Sequence, residues 1–131
     1  MTCLWRLAAA VTALLPGGIL HAWEVTLPSG AGVAFHDAMW EEDSGALRLR
    51  YIVDAVADPA YAAQDQAVFA DMEWLCESQA LPMIRVNGNP WDAVLITLMA
   101  EPLPFGEIAP DVVQFFEAFQ IVDNHCIWDE Y

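Results

Sequence analysis

The chain has 131 residues, of which 19 are Asp or Glu and 4 are Arg, with no lysine, for a formal net charge of −15. This length allows one domain with one modest core. So acidic a field argues against nucleic acid and anionic lipid surfaces as partners, because affinity for phosphate comes from cationic groups that displace counterions.

Residues 1–22, MTCLWRLAAAVTALLPGGILHA, place one positive side chain, Arg6, ahead of an apolar stretch from Leu7 to Leu15. That is the order of a secretory signal. Pro16, Gly17 and Gly18 interrupt the stretch before it reaches the length of a membrane span, and Leu20-His21-Ala22 ends on a small residue, which puts cleavage after Ala22. An uncleaved anchor is the rival reading. Residues 23–131 then form a single domain in the periplasm or outside the cell, with no stable membrane insertion once the leader is gone.

Cys3 leaves with the leader, so Cys76 and Cys126 remain of 3 cysteines. A pair in an oxidising compartment is expected to form a disulfide. Closing a loop of about 50 residues contributes roughly 4 kcal/mol in the chain-entropy model, a large share of the ~5–15 kcal/mol of a small domain. A metal-binding pair or two free thiols are the alternatives. With no Cys-x-x-Cys spacing and two histidines beyond the leader, nothing favours zinc, and neither a metal nor a cofactor is expected.

Glu24 to Gly32 reads as an extended lead-in with a turn at Pro28-Ser29-Gly30. Val33 to Glu41 reads as a strand, Glu42-Asp43-Ser44-Gly45 as a turn, and Leu47 to Val53 as the second strand of a half-buried hairpin. Leu47, Leu49, Tyr51 and Val53 face the core. Arg48 and Arg50 share the other face, where Asp37 and Glu41 can meet them across the strands; a solvated ion pair is expected there in preference to an anion-binding site.

Asp58-Pro59 starts a helix, since Asp caps free amides and Pro costs nothing in the first turn. From Pro59 to Ser78, Tyr61, Val68, Met72, Leu75 and Cys76 fall on one stripe, which puts Cys76 on the buried face at the last turn. Trp74 falls opposite that stripe. Pro82 is expected to bar continuation. Met83 to Val86 reads as a short strand before a tight turn at Asn87-Gly88. Val94 to Met99 is an apolar run suited to the centre of a sheet, and Pro102, Pro104, Gly106 and Pro110 make an irregular connection.

Val112, Val113, Phe115, Phe116 and Phe119 fit a helix about as well as a strand. Asp123-Asn124 decides for the strand, because a two-residue hairpin loop there pairs Ile121 with Cys126, Phe119 with Trp128 and Glu117 with Glu130. The cysteine then points with the aromatics toward the end of the helix that carries Cys76. The fold expected is α+β, one main helix packed on a small antiparallel sheet made of an N-terminal hairpin, a central strand and a C-terminal hairpin, closed by one disulfide.

Pro28-Ser29-Gly30, Asp71-Met72, Leu75-Cys76, Leu81-Pro82, Phe105-Gly106, Gln114 to Phe119 and Cys126-Ile127-Trp128 stand in an order that resembles a family of small exported bacterial proteins known only as a domain of unknown function. The resemblance implies export and the two cysteines as a unit. It implies no activity.

Candidate chemistry is sparse. Ser29, Ser44 and Ser78 with His36 and His125 show no nucleophile elbow. Glu117 and Glu130, opposite each other beside Phe119 and Trp128, are candidates for a carboxylate pair acting on envelope glycans, because aromatic walls raise a carboxyl pKa. Glu41-Glu42-Asp43, Asp54 with Asp58, and Asp123-Asn124-His125 are oxygen-rich but match no calcium loop. Trp74 and Trp91 are candidate anchors for a protein or glycan partner. A non-enzymatic interaction module is the first expectation and a small carboxylate-dependent hydrolase the second.

Overall fold

A computed structural model describes residues 24–129. The leader with its cleavage point, Trp23 and Glu130 lie outside the described residues. Six strands, β1 (Glu24–Thr26), β2 (Gly32–Glu41), β3 (Ala46–Ile52), β4 (Ala93–Met99), β5 (Gln114–Val122) and β6 (His125–Trp128), form one sheet in sequential order. The class is α+β, with one disulfide between Cys76 and Cys126. The lead-in is itself a strand, pairing Glu24 with Ala34. One pair departs from the antiparallel pattern: β3 and β4 run parallel, Leu47 beside Val94 and Tyr51 beside Leu98. A parallel neighbour needs a crossover long enough to return the chain to the same end of the sheet, and here that crossover is the whole helical segment.

Period-two alternation puts Leu47, Leu49, Tyr51, Val94, Ile96, Leu98 and Phe119 on one face, each 1% exposed or less. The helices lie on this face. Asp58 caps α1 (Pro59–Ala62) by accepting from Ala60 N at 2.9 Å. The helix then breaks at Ala63-Gln64 and restarts as α2 (Asp65–Leu75). Val68, Met72, Leu75 and Cys76 form its underside, as their spacing requires. Burial of such side chains contributes about 1.5–3 kcal/mol each.

Pro82 does not end the helix. A π turn, Cys76–Ala80, follows α2 and hands over to α3 (Leu81–Asn87). Leu81 N donates to Cys76 O, the i to i+5 spacing of the wider turn, and Pro82 falls in the first turn of α3. There its missing N–H and its bulky ring are accommodated. Met83 to Val86 is therefore helical, and Asn87-Gly88 is a helix end: Gly88, at φ 80°, donates its N–H to Ile84 O. The left-handed residue that would make a hairpin turn makes a C-cap instead.

The last hairpin has the register that its turn residues dictate, Phe119 beside Trp128 and Ile121 beside Cys126. Asp123 and Asn124 sit at φ 50° and 62°, as a two-residue turn of this hand demands. Cys126 thus faces the helix, and its Cα lies 6.2 Å from that of Cys76.

A second attachment holds the helix near its middle. Asp71, fully buried, accepts from Ser29 N at 2.9 Å, Ser29 Oγ at 2.5 Å and Tyr61 OH at 2.9 Å. This ties the β1–β2 turn and α1 to α2. Desolvation first, and the Asp71 carboxylate second, push the Tyr61 phenol up. Replacing Asp71 by Ala leaves the buried Tyr61 hydroxyl without its acceptor and frees the exposed Ser29 turn from the helix. Urea denaturation of Asp71→Ala is expected to show a loss of about 2 kcal/mol, and an unchanged midpoint would remove the network from the fold's supports.

Candidate functional site

Three surface features gather the chain's chemistry. The first lies where the C-terminal end of α3 meets the end of β2. Trp40 and Trp91 stack with centroids 4.8 Å apart and planes at 47°. Trp91 Nε1 donates to Asn87 Oδ1 at 3.1 Å, so the helix cap fixes the indole. Pro82, Met83 and Val86 face Trp40 across a concavity of about 460 Å³ whose lining is almost wholly apolar. Val86 is 89% exposed. Met83 and Val86 share this face because they stand three apart on a helix. Trp74, the other tryptophan proposed as an anchor, is half-buried and packs against the core.

The second feature is a cleft of about 350 Å³ between the start of α2 and the last hairpin, lined by Asp65, Gln66, Phe69, Glu117 and Trp128. Trp128 Nε1 donates to Glu117 Oε2 at 2.9 Å, and Phe69 meets the Trp128 ring edge-on at 5.3 Å. Glu117 thus shares a cleft with Asp65. The expected partner carboxylate, Glu130, lies outside the described residues.

The third occupies the sheet face away from the helices. Arg48 Nε donates to Glu41 Oε1 at 2.6 Å and Arg50 Nη1 to Asp37 Oδ2 at 3.0 Å. Both pairs match the sequence expectation, but Arg50 is not solvated: it is 3% exposed. The connection between β4 and β5 folds over it. Arg50 donates to the Leu103 carbonyl, and the Phe105 ring covers both guanidinium groups, 5.4 Å from Arg48 and 5.7 Å from Arg50. Asp37 Oδ1 is buried and has no hydrogen-bond partner among the described residues. A pocket of about 210 Å³ remains between this loop and the sheet. With each arginine neutralised by its own carboxylate, the arrangement holds the loop rather than presenting free positive charge.

The serines and histidines are not brought together. Ser29 Oγ is taken by Asp71, Ser44 Oγ by Glu41 and Ser78 Oγ by the Trp74 carbonyl. His125 lies 3.6 Å from Glu77, and His36 lies 3.9 Å from Asp37. Glu77 also accepts from Cys126 N at 2.8 Å. Among the described residues no group of three or more His, Cys, Asp or Glu is placed to hold a metal ion, and no helix is long and apolar enough to cross a membrane.

Sequence reasoning missed the Trp40–Met83–Val86 surface because Met83 to Val86 was read as a strand. Gly88 was the available signal: a glycine closing a run with Pro near its start is a helix C-cap pattern.

These features define a small α+β domain with one helical layer on a six-stranded mixed sheet, closed by a disulfide. The chain belongs to the family of unknown function DUF6497, whose model matches residues 6–131. No curated protein and no solved structure shows significant similarity to it.

Arg50→Met removes the hydrogen bonds to the Leu103 carbonyl and to Asp37. Limited proteolysis is expected to cut the variant between residues 101 and 113 while the parent resists. Equal resistance of the two would show that Arg50 does not hold the loop.

Proposed function

We propose that the protein is an exported, non-enzymatic interaction module of the periplasm or the extracellular medium that receives an apolar side chain of a protein partner between Trp40, Met83 and Val86. The observation that carries this reading is the Trp40–Trp91 stack beside an open apolar concavity on an otherwise acidic body. Aromatic residues fixed in place at a desolvated spot are the usual anchors of an interface, and a nearly fully exposed valine on a helix end is uncovered without a partner. The leader-like opening and the disulfide support export. The charge of −15 directs the partner toward basic or neutral protein surfaces rather than phosphate.

A second reading, a carboxylate-dependent hydrolase of envelope glycans, draws support from the cleft that Glu117 shares with Asp65. It requires release of reducing sugar from envelope glycan to fall on Glu117→Gln.

A photo-crosslinking residue at position 86 is expected to give discrete adducts in periplasmic extract. These are absent when the crosslinker stands at exposed position 120, and lost in Trp91→Ala. Adducts alike at both positions, or unaffected by Trp91→Ala, would remove the interaction reading.

A further inference from the structure

We infer that the outer edge of β2 and the groove beside it form a strand-addition site for an extended peptide segment of a partner, one with apolar side chains at alternate positions and a basic residue at one end. The inference rests on the interaction reading above and specifies how the partner is held.

β1 covers β2 only at Gly32, Val33 and Ala34. From Asp37 to Glu41, β2 pairs with β3 alone among the described residues. Alternate residues of such a stretch turn N–H and C=O groups outward. Natural edges are blunted by Lys, Pro, inward-pointing charge or a bulge. Here the bulge sits at one end, between Phe35 and Asp37. Asp37 and Glu41 turn their carboxylates inward to Arg50 and Arg48 and protect the two ends of the stretch, while Ala38-Met39-Trp40 between them carries no charge and no Pro. A short template for pairing remains.

The apolar groove adjoins this edge. Trp40 of β2 forms one wall, and Pro82, Met83 and Val86 of α3 form the other. A strand added to β2 points every second side chain to the helix side of the sheet, so backbone pairing and filling of the groove occur together. An edge strand with a helix beside it is a geometry that captures peptides by main-chain bonding, with side-chain pockets supplying selectivity. Charge sets the preferred end: Glu41, Glu42 and Asp43 follow Trp40 and line the neighbouring concavity, where a Lys or Arg of the partner meets acid.

The test is selection of a random nonapeptide library against the full chain, residues 1–131, with its disulfide intact. Enriched peptides are expected to alternate apolar residues and to carry Lys or Arg at one end. Their binding should weaken about tenfold or more on main-chain N-methylation, the loss of one or two hydrogen bonds, and comparably in Trp91→Ala. Amide exchange should slow within residues 37–41 when peptide binds. If N-methylated peptides bind as tightly, or protection arises elsewhere, strand addition is overturned while the apolar interaction surface stands. If no sequence is enriched over the Trp91→Ala protein, both fall. A dimer in sedimentation that peptide does not dissociate assigns the edge to a second copy, and binding seen only after residues 1–22 are removed assigns it to the chain's own opening segment. Either result overturns the partner peptide.

Discussion

Everything on the helical face depends on one covalent constraint, the Cys76–Cys126 bridge between the end of α2 and the first strand positions after the last turn. The sheet offers a broad apolar face, and a single helical layer must cover it. Among the described residues no further layer packs over α1 to α3, so the layer is held by few points. The bridge closes a loop across the sequence separation of 50 residues, which removes denatured-state freedom worth roughly 4 kcal/mol in the entropic picture. It also fixes the lateral position of α2, and through the π turn that begins at Cys76 it fixes α3. The Trp40–Met83–Val86 groove beside β2 is thus linked, through α3 and the π turn, to a disulfide on β6 at the other end of the sheet.

The Asp71 network is the second fastening, and it works differently. A fully buried carboxylate with three donors is costly to break rather than strongly favourable to make. It specifies which turn, that of Pro28-Ser29-Gly30, lies against the helix. On the opposite face Arg50 plays the matching part: it reaches Asp37 on one side and the Leu103 carbonyl on the other, so the irregular β4–β5 connection becomes the cover of that face. Few cations are present in this chain, and two of them are spent on tying down the sheet.

Much of this was legible from local pattern. Alternation in Leu47 to Val53 gave the buried face, and the stripe from Tyr61 to Cys76 gave the helix underside. Asp123-Asn124 gave the last register, which turns Cys126 toward the helix as the pairing read from the cysteine count requires. What failed was non-local. Pro82 reads as a stop by propensity, yet a π turn seats it, and the sheet packing beneath Ala80 and Leu81, both buried, favours continuing the helix over ending it. Asn87-Gly88 carries the same left-handed preference for a hairpin or a C-cap, and only the preceding residues decide between them. The parallel β3–β4 pair depends on a long helical crossover between Ile52 and Ala93, which a strand at Met83 to Val86 would interrupt. Asp71 could not be singled out among 19 acids, because burial with three donors is a tertiary fact. The candidate surface was half visible: Trp91 stood out as an aromatic, whereas its partners came from a helix that the local signals denied.

Native-state hydrogen exchange on the oxidised and the gently reduced protein tests the clamp most directly. If the bridge holds the helical layer, reduction speeds exchange across residues 65–87 while the central amides of β3 and β4 stay protected. Uniform loss of protection, or protection of residues 65–87 unchanged by reduction, would contradict the claim that the disulfide positions the helix on the sheet.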